Sequence, residues 1–209
     1  MKRRYGGRAF LGIPYAAGPV GNLRWAPPQA AAPFSGTFSA TTFGPACPQT
    51  CDLPPDTCPL DGTSEDCLSL DIYTPLVPSS DPAGYPIMFF YYGGDFIQGG
   101  AGVTLYSGLY MVNNTGVVLV VINYRLGALG FLHTSELQGN YAIMDQTYVQ
   151  SNKKRKEIPL FFLFSLSFSL SLSNSFSFSF SSFSSFSFLV LLYNGPKKTL
   201  LLLVAILLV

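Results

Sequence analysis

The residues of this sequence best suited to chemistry are four cysteines, one histidine and a glycine-rich turn. Cys47, Cys51, Cys58 and Cys67 fall within 21 residues, in a stretch crowded with proline and aspartate and short of apolar residues. Their spacings of four, seven and nine lack the Cys-x-x-Cys knuckles of a zinc site, and His133 is far away in sequence. Disulfides are therefore the favoured use, with zinc and unpaired thiols as the alternatives. Disulfides imply an oxidising compartment, and the sequon at Asn113 agrees with a secreted glycoprotein. Met1 to Arg8 is basic, yet no apolar run follows it, so no signal peptide is visible there. The turn, Tyr92-Gly-Gly-Asp-Phe-Ile-Gln-Gly99, reads on its own as no more than a strand-to-loop connection.

Behind these residues stand elements that can be read from pattern. Pro14, Pro19, Pro27, Pro28 and Pro33 keep residues 9 to 45 extended and turn-rich. Leu68 to Tyr73 alternates as a strand. Ile87 to Tyr91 and Val117 to Ile122 are continuous β-branched or aromatic runs, which suits strands buried on both faces of a helix-covered sheet. A short helix is predicted near Leu105 to Val112. Another opens at Tyr141 to Gln150, with Asp145 near its first turn. The fold class is α/β.

Residue 151 divides the chain. The first 150 residues carry 6 Lys/Arg against 10 Asp/Glu, whereas residues 151 to 209 carry 6 against 1, so a near-neutral total conceals two unlike segments. After the basic run Lys153 to Lys156, residues 160 to 189 contain only Phe, Leu and Ser apart from Asn174. This composition is non-native to an α/β fold and is what a polypyrimidine stretch encodes, so retained intron or a frame error is the expected origin. The rivals are a membrane segment within residues 158 to 209 and an aggregating strand at Phe176 to Ser181.

Four blocks, in order, resemble the type-B carboxylesterase and cholinesterase family. They are Phe10-Leu-Gly-Ile-Pro-Tyr-Ala with Gly21-Asn-Leu-Arg-Trp-Ala-Pro-Pro28; Ser64-Glu-Asp-Cys-Leu-Ser-Leu-Asp-Ile-Tyr-Thr-Pro75; Tyr92-Gly-Gly-Asp-Phe-Ile-Gln-Gly99; and Asn123-Tyr-Arg-Leu-Gly-Ala-Leu-Gly-Phe-Leu132 with Gly139-Asn-Tyr-Ala-Ile-Met-Asp-Gln146. The resemblance covers residues 9 to 150. It implies a partial α/β-hydrolase fold holding only the N-terminal strands of the central sheet, and a small-molecule carboxylic ester as substrate of intact relatives. No cofactor, metal or nucleic acid is implied.

By the same resemblance Gly94 and Asp95, with Gly93 before them, occupy the oxyanion-hole positions of the third block. Asp95 departs from the glycine or alanine usual there, and its carboxylate would repel an oxyanion unless it turned away. Cys47 resembles the partner of Cys67, leaving Cys51 and Cys58 to close a small extra loop. Arg24 and Glu65, and Arg125 and Asp145, match two structural ion pairs of the family, though each of these residues also reads as a solvated charge.

The family's nucleophile is a serine in Gly-x-Ser-x-Gly, followed by an acid and a histidine. That motif does not occur in these 209 residues, and His133 lies upstream of where the nucleophile belongs. The chain is therefore expected to be truncated before the nucleophile and inactive. Residues 48 to 66 also lack the tryptophan that would hold a choline cation. The alternative is a non-catalytic adhesion or binding protein, tethered to a membrane by the tail. A third expectation is an unstable chain, with Val117 to Ile122 left as an unpaired sheet edge.

Overall fold

The computed structural model describes residues 6–52, 54, 57–59, 62–151, 186–195 and 198–207, the last two stretches as backbone alone. Its centre is a mixed sheet built from β1 (Gly7–Pro14), β2 (Ser69–Pro75), β3 (Ile87–Tyr91) and β4 (Val118–Ile122). In space the order is β1-β2-β4-β3. β1 runs antiparallel to β2 and β2 antiparallel to β4, whereas β3 and β4 are parallel, with Ile87 opposite Val118 and Phe90 opposite Val121. Parallel neighbours need a crossover connection. Here it carries a 3-10 turn, Thr104–Tyr106, and helix α1, Leu109–Thr115.

β4 explains why its sequence shows no polar alternation. Leu119 and Val121 face a cluster containing Tyr73, Met88 and Val112 of α1, while Val120 and Ile122 face one containing Leu70, Phe89, Tyr91 and both Cys47 and Cys67. A strand with apolar neighbours above and below has no solvated face on which to place polar side chains. Val117 to Ile122 is thus an interior strand paired on both sides, not the unpaired edge expected from the sequence. Among these four strands the edge is β1, and β3 is paired on its other side as well. Beside it lies the backbone of β6 (Lys198–Leu207), parallel, with Phe90 opposite Leu203; β6 pairs antiparallel with β5 (Phe186–Gly195).

Two short helices follow β4. α2 (Gly127–Phe131) was not foreseen, and α3 (Tyr141–Ser151) sets Asp145 in its second turn rather than near its first. Asp145 therefore meets an arginine instead of the helix N-terminus. Among the described residues no helix is long and apolar enough to cross a membrane. The Phe/Ser tract up to residue 185, with the strand expected at Phe176 to Ser181, and the first candidate span, from residue 158, lie outside the described residues; the second, from Phe188, has strand backbone over its described part.

One buried carboxylate sits at a defect in the sheet. The pairing of β1 with β2 shifts register between Phe10 and Ile13, and there the Gly12 N–H donates to Asp71 Oδ1 at 2.8 Å. Asp71 Oδ2 is buried without a hydrogen-bond partner among the described residues. Burial pushes the Asp71 carboxyl up to about 6, opposed by the Gly12 bond.

A folded-state value above the unfolded one, about 3.9, means that this group's contribution to stability is complete below pH ~4 and is lost as pH rises through about 6. A rise of that size corresponds to about 3 kcal/mol. Asp71→Asn should therefore gain stability relative to the parent between pH 4 and pH 7, measured by urea unfolding at each pH. A difference between the two proteins that is constant across that range would contradict this.

Candidate active site

The parallel strands β3 and β4 both point their C-terminal ends at the same place, the position where open α/β sheets collect their ligands. From β3 the chain runs into the turn Tyr92–Gly99; from β4 it runs into Asn123-Tyr124-Arg125. Each of these three residues holds a different neighbour.

Arg125 is the most constrained. Its side chain is 3% exposed and that of Asp145 fully buried, and two bonds, Nε to Oδ2 at 2.8 Å and Nη2 to Oδ1 at 2.7 Å, join them in a fork. The Arg125 backbone N–H adds a third bond to Asp145 Oδ2, Nη1 donates to the Ala26 carbonyl, and the guanidinium lies 5.2 Å from the Tyr141 ring centre. Burial raises the Asp145 carboxyl and the Arg125 bonds pull it back. The satisfied fork is what makes a buried charge pair tolerable. It ties the end of β4 to α3 and to the N-terminal segment.

Tyr124 supports the turn directly. Its hydroxyl donates to the Tyr92 carbonyl at 2.6 Å and its ring stacks on Tyr92, 4.6 Å between centres. Phe96, within the turn, packs edge-on against Phe131 of α2, and its carbonyl accepts from Gly127 N–H at 2.7 Å. Asn123, 1% exposed, accepts from Ala101 N–H and donates to Pro45 O, while its carbonyl takes the Tyr15 hydroxyl.

Within the turn the backbone is left-handed at three successive residues: Gly94 at φ 122°, Asp95 at 53° and Phe96 at 61°. A side chain on Gly94 would collide with the Gln98 carbonyl. The Gly94 carbonyl accepts the Ile97 and Gln98 N–H groups, which folds the turn back on itself. Among the described residues no acceptor takes the N–H of Gly94 or Asp95. Asp95 itself is exposed, and its carboxylate has no partner among the described residues. The turn thus presents two adjacent unused donors, an arrangement able to receive an anionic oxygen.

The remaining sequence-derived residues fall elsewhere. Cys47 is bonded to Cys67 and Cys51 to Cys58. Arg24 grips Glu65 with Nε to Oε2 at 2.6 Å and Nη2 to Oε1 at 2.5 Å. This contact raises Arg24 and lowers Glu65, but both are solvated, so it contributes little stability. Trp25 donates to the Ala128 carbonyl. His133 is exposed and bonds the Gln138 carbonyl through Nδ1. Asn113 is exposed on α1. Sequence reasoning missed Gln49, Gln98, Tyr92, Asn123 and Tyr124, whose polar groups serve backbone atoms that only the fold brings near.

Comparison with known proteins places this geometry in context. A profile described as the carboxylesterase family matches residues 2–151. The chain is 41% identical over 141 residues to the cAMP-regulated D2 protein of Dictyostelium discoideum, covering 66% of this chain and 26% of that protein. It is 37% identical over 158 residues to the acetylcholinesterase of Bungarus fasciatus, covering 69% and 26%. To carboxylesterase 1E of Mus musculus it is 41% identical over 160 residues, covering 68% and 28%. The chain spans about a quarter of the length of these relatives.

Arg125→Ala or Asp145→Ala strands one buried charge and should cost about 3–5 kcal/mol. Replacing both, as Arg125→Met with Asp145→Leu, should cost far less than the two losses added. Chemical denaturation of the four proteins checks this, and additive losses would contradict it.

Proposed function

The chain belongs to the carboxylesterase family, and from that premise we propose that residues 6–151 are the oxyanion-binding part of a serine ester hydrolase site. Ester hydrolysis passes through a tetrahedral oxyanion, and each preset donor aimed at that oxygen lowers the barrier by about 3 kcal/mol. The observation that carries the reading is the pair of unused N–H groups at Gly94 and Asp95, held in a turn whose every other bond is internal or made to Tyr124, Gly127 and the cysteine loop. Gly93 contributes approach rather than a donor.

The substrate class is a small carboxylic ester. Attack on such an ester also needs a hydroxyl nucleophile and a base, and these 209 residues contain no Gly-x-Ser-x-Gly, while the single histidine, His133, lies upstream of where the nucleophile belongs. On this reading the 209-residue chain binds an oxyanion analogue but does not turn over. Residues 151–209 form a separate compositional segment. Two disulfides fit an extracellular protein, and glycosylation at the exposed Asn113 belongs to the same proposal.

Asp95 modifies the site. Its exposed carboxylate is carried by one of the two donor residues, so it opposes any anion arriving at Gly94 and Asp95 N–H, and salt weakens that opposition.

The dimethylphosphinate anion, whose charged oxygens stand in for a tetrahedral oxyanion, should shift the Gly94 and Asp95 amide resonances of the full chain. Asp95→Asn should tighten that binding about fivefold at low salt, with the gain shrinking at high salt. An aryl ester should not be turned over by either protein. Unmoved amides at Gly94 and Asp95 in both proteins would contradict the reading.

A further inference from the structure

The turn that presents the two donors is fixed at its far end by side chains rather than by the sheet. Gln49 lies between Cys47 and Cys51, hence between two disulfides, one to Cys67 and one to Cys58. Its carboxamide meets both backbone groups of Gly99: Nε2 donates to the Gly99 carbonyl at 2.6 Å, and Oε1 accepts the Gly99 N–H at 2.6 Å. Nε2 also donates to the Cys47 carbonyl at 3.0 Å. This is the pattern that a neighbouring strand would offer, supplied by one amide group.

The exchange is returned. Gln98, only 9% exposed, accepts the Asp52 N–H on its own Oε1 at 3.0 Å, reaching back into the loop closed by Cys51 and Cys58. Gly99 leaves no slack for an alternative path, since at φ 112° a Cβ there would lie 2.6 Å from the Tyr92 ring. The Gln98 backbone in turn closes the turn onto the Gly94 carbonyl. The linkage therefore runs from the disulfides through Gln49 to Gly99, and from Gln98 to Gly94.

We infer that Gln49 is a positioning residue for the oxyanion-binding turn. With Gln98 it forms a reciprocal clamp that ties the disulfide-bonded segment to the turn carrying the Gly94 and Asp95 donors. The inference rests on the proposed function for what the donors receive, but the clamp itself is independent of any ligand. Neither glutamine touches a reacting atom. Their work is to keep the turn from exchanging its internal bonds for bonds to the free N–H groups. Preset donors are effective because no reorganisation remains at the moment of reaction.

The test is residue-resolved amide hydrogen exchange on the full, disulfide-bonded chain, for the parent, Gln49→Ala and Gln49→Glu. Loss of the clamp in Gln49→Ala should speed exchange at Gly99, Gln98 and Ile97 by about tenfold. The buried β4 amides of Val120 and Val121 should keep their parent rates. Gln49→Glu retains an acceptor for the Gly99 N–H and loses the donor to its carbonyl, so it should restore Gly99 protection while leaving the turn faster than in the parent.

Dimethylphosphinate binding separates the two claims. Faster exchange in the turn together with weaker binding supports both. Faster exchange in a chain whose parent form never binds phosphinate supports the clamp and overturns the proposed function. Exchange in the turn that stays within twofold of the parent, or that rises equally in β4, overturns the clamp.

Discussion

The fork between Arg125 and Asp145 is the interaction on which the arrangement depends. A guanidinium and a carboxylate withdrawn from water are tolerable only when nearly every donor and acceptor is used. Here five contacts achieve that: the two arms of the fork, the Arg125 backbone, the Ala26 carbonyl and the Tyr141 ring. Because these partners come from α3 and the N-terminal segment, the end of β4 is held to both. Tyr124 and Asn123 inherit that hold as chain neighbours, and through Tyr92 and Ala101 the glycine-rich turn inherits it in turn.

From this follows a division of labour among polar groups. The pair exposed to water, Arg24 with Glu65, has good geometry but little energetic weight, because solvent screens it. The weight lies with buried or half-buried, uncharged amides and hydroxyls that each satisfy a main-chain group: Asn123 at Ala101, Tyr15 at Asn123, Gln49 at Gly99. Asp71 is the exception, a buried carboxylate with one oxygen unserved, placed where β1 shifts register. It makes the edge of the sheet sensitive to pH in a way the interior is not.

Much of this was legible in the sequence wherever a single physical requirement dominated. A strand buried on both faces has to be apolar throughout, so Ile87–Tyr91 and the run ending at Ile122 announced themselves. Alternation near Leu70 likewise marked β2. The unseen parts depended on two requirements at once. α2 carries Gly127 and Gly130, poor helix residues, and it forms because Gly127 N–H is taken by Phe96 and Gly130 packs against the Arg125 backbone and Ala142. Gln49, Gln98 and Asn123 look like any surface polar residue until the fold sets a bare main-chain group in front of them. The motif resemblance drew attention to Gly94, Asp95, Arg125 and Asp145, but not to the side chains that hold the turn in shape. The register of β4 as an interior strand also escaped, since pairing partners leave no mark on an unbroken apolar run.

The proposed oxyanion-receiving turn at Gly94 and Asp95 stands in a sequence that contains no Gly-x-Ser-x-Gly. The most direct test is intact-protein mass spectrometry of the full chain after incubation with a fluorophosphonate that labels activated serines. An unchanged mass is expected. A stoichiometric adduct, mapped to any one side chain, would contradict it.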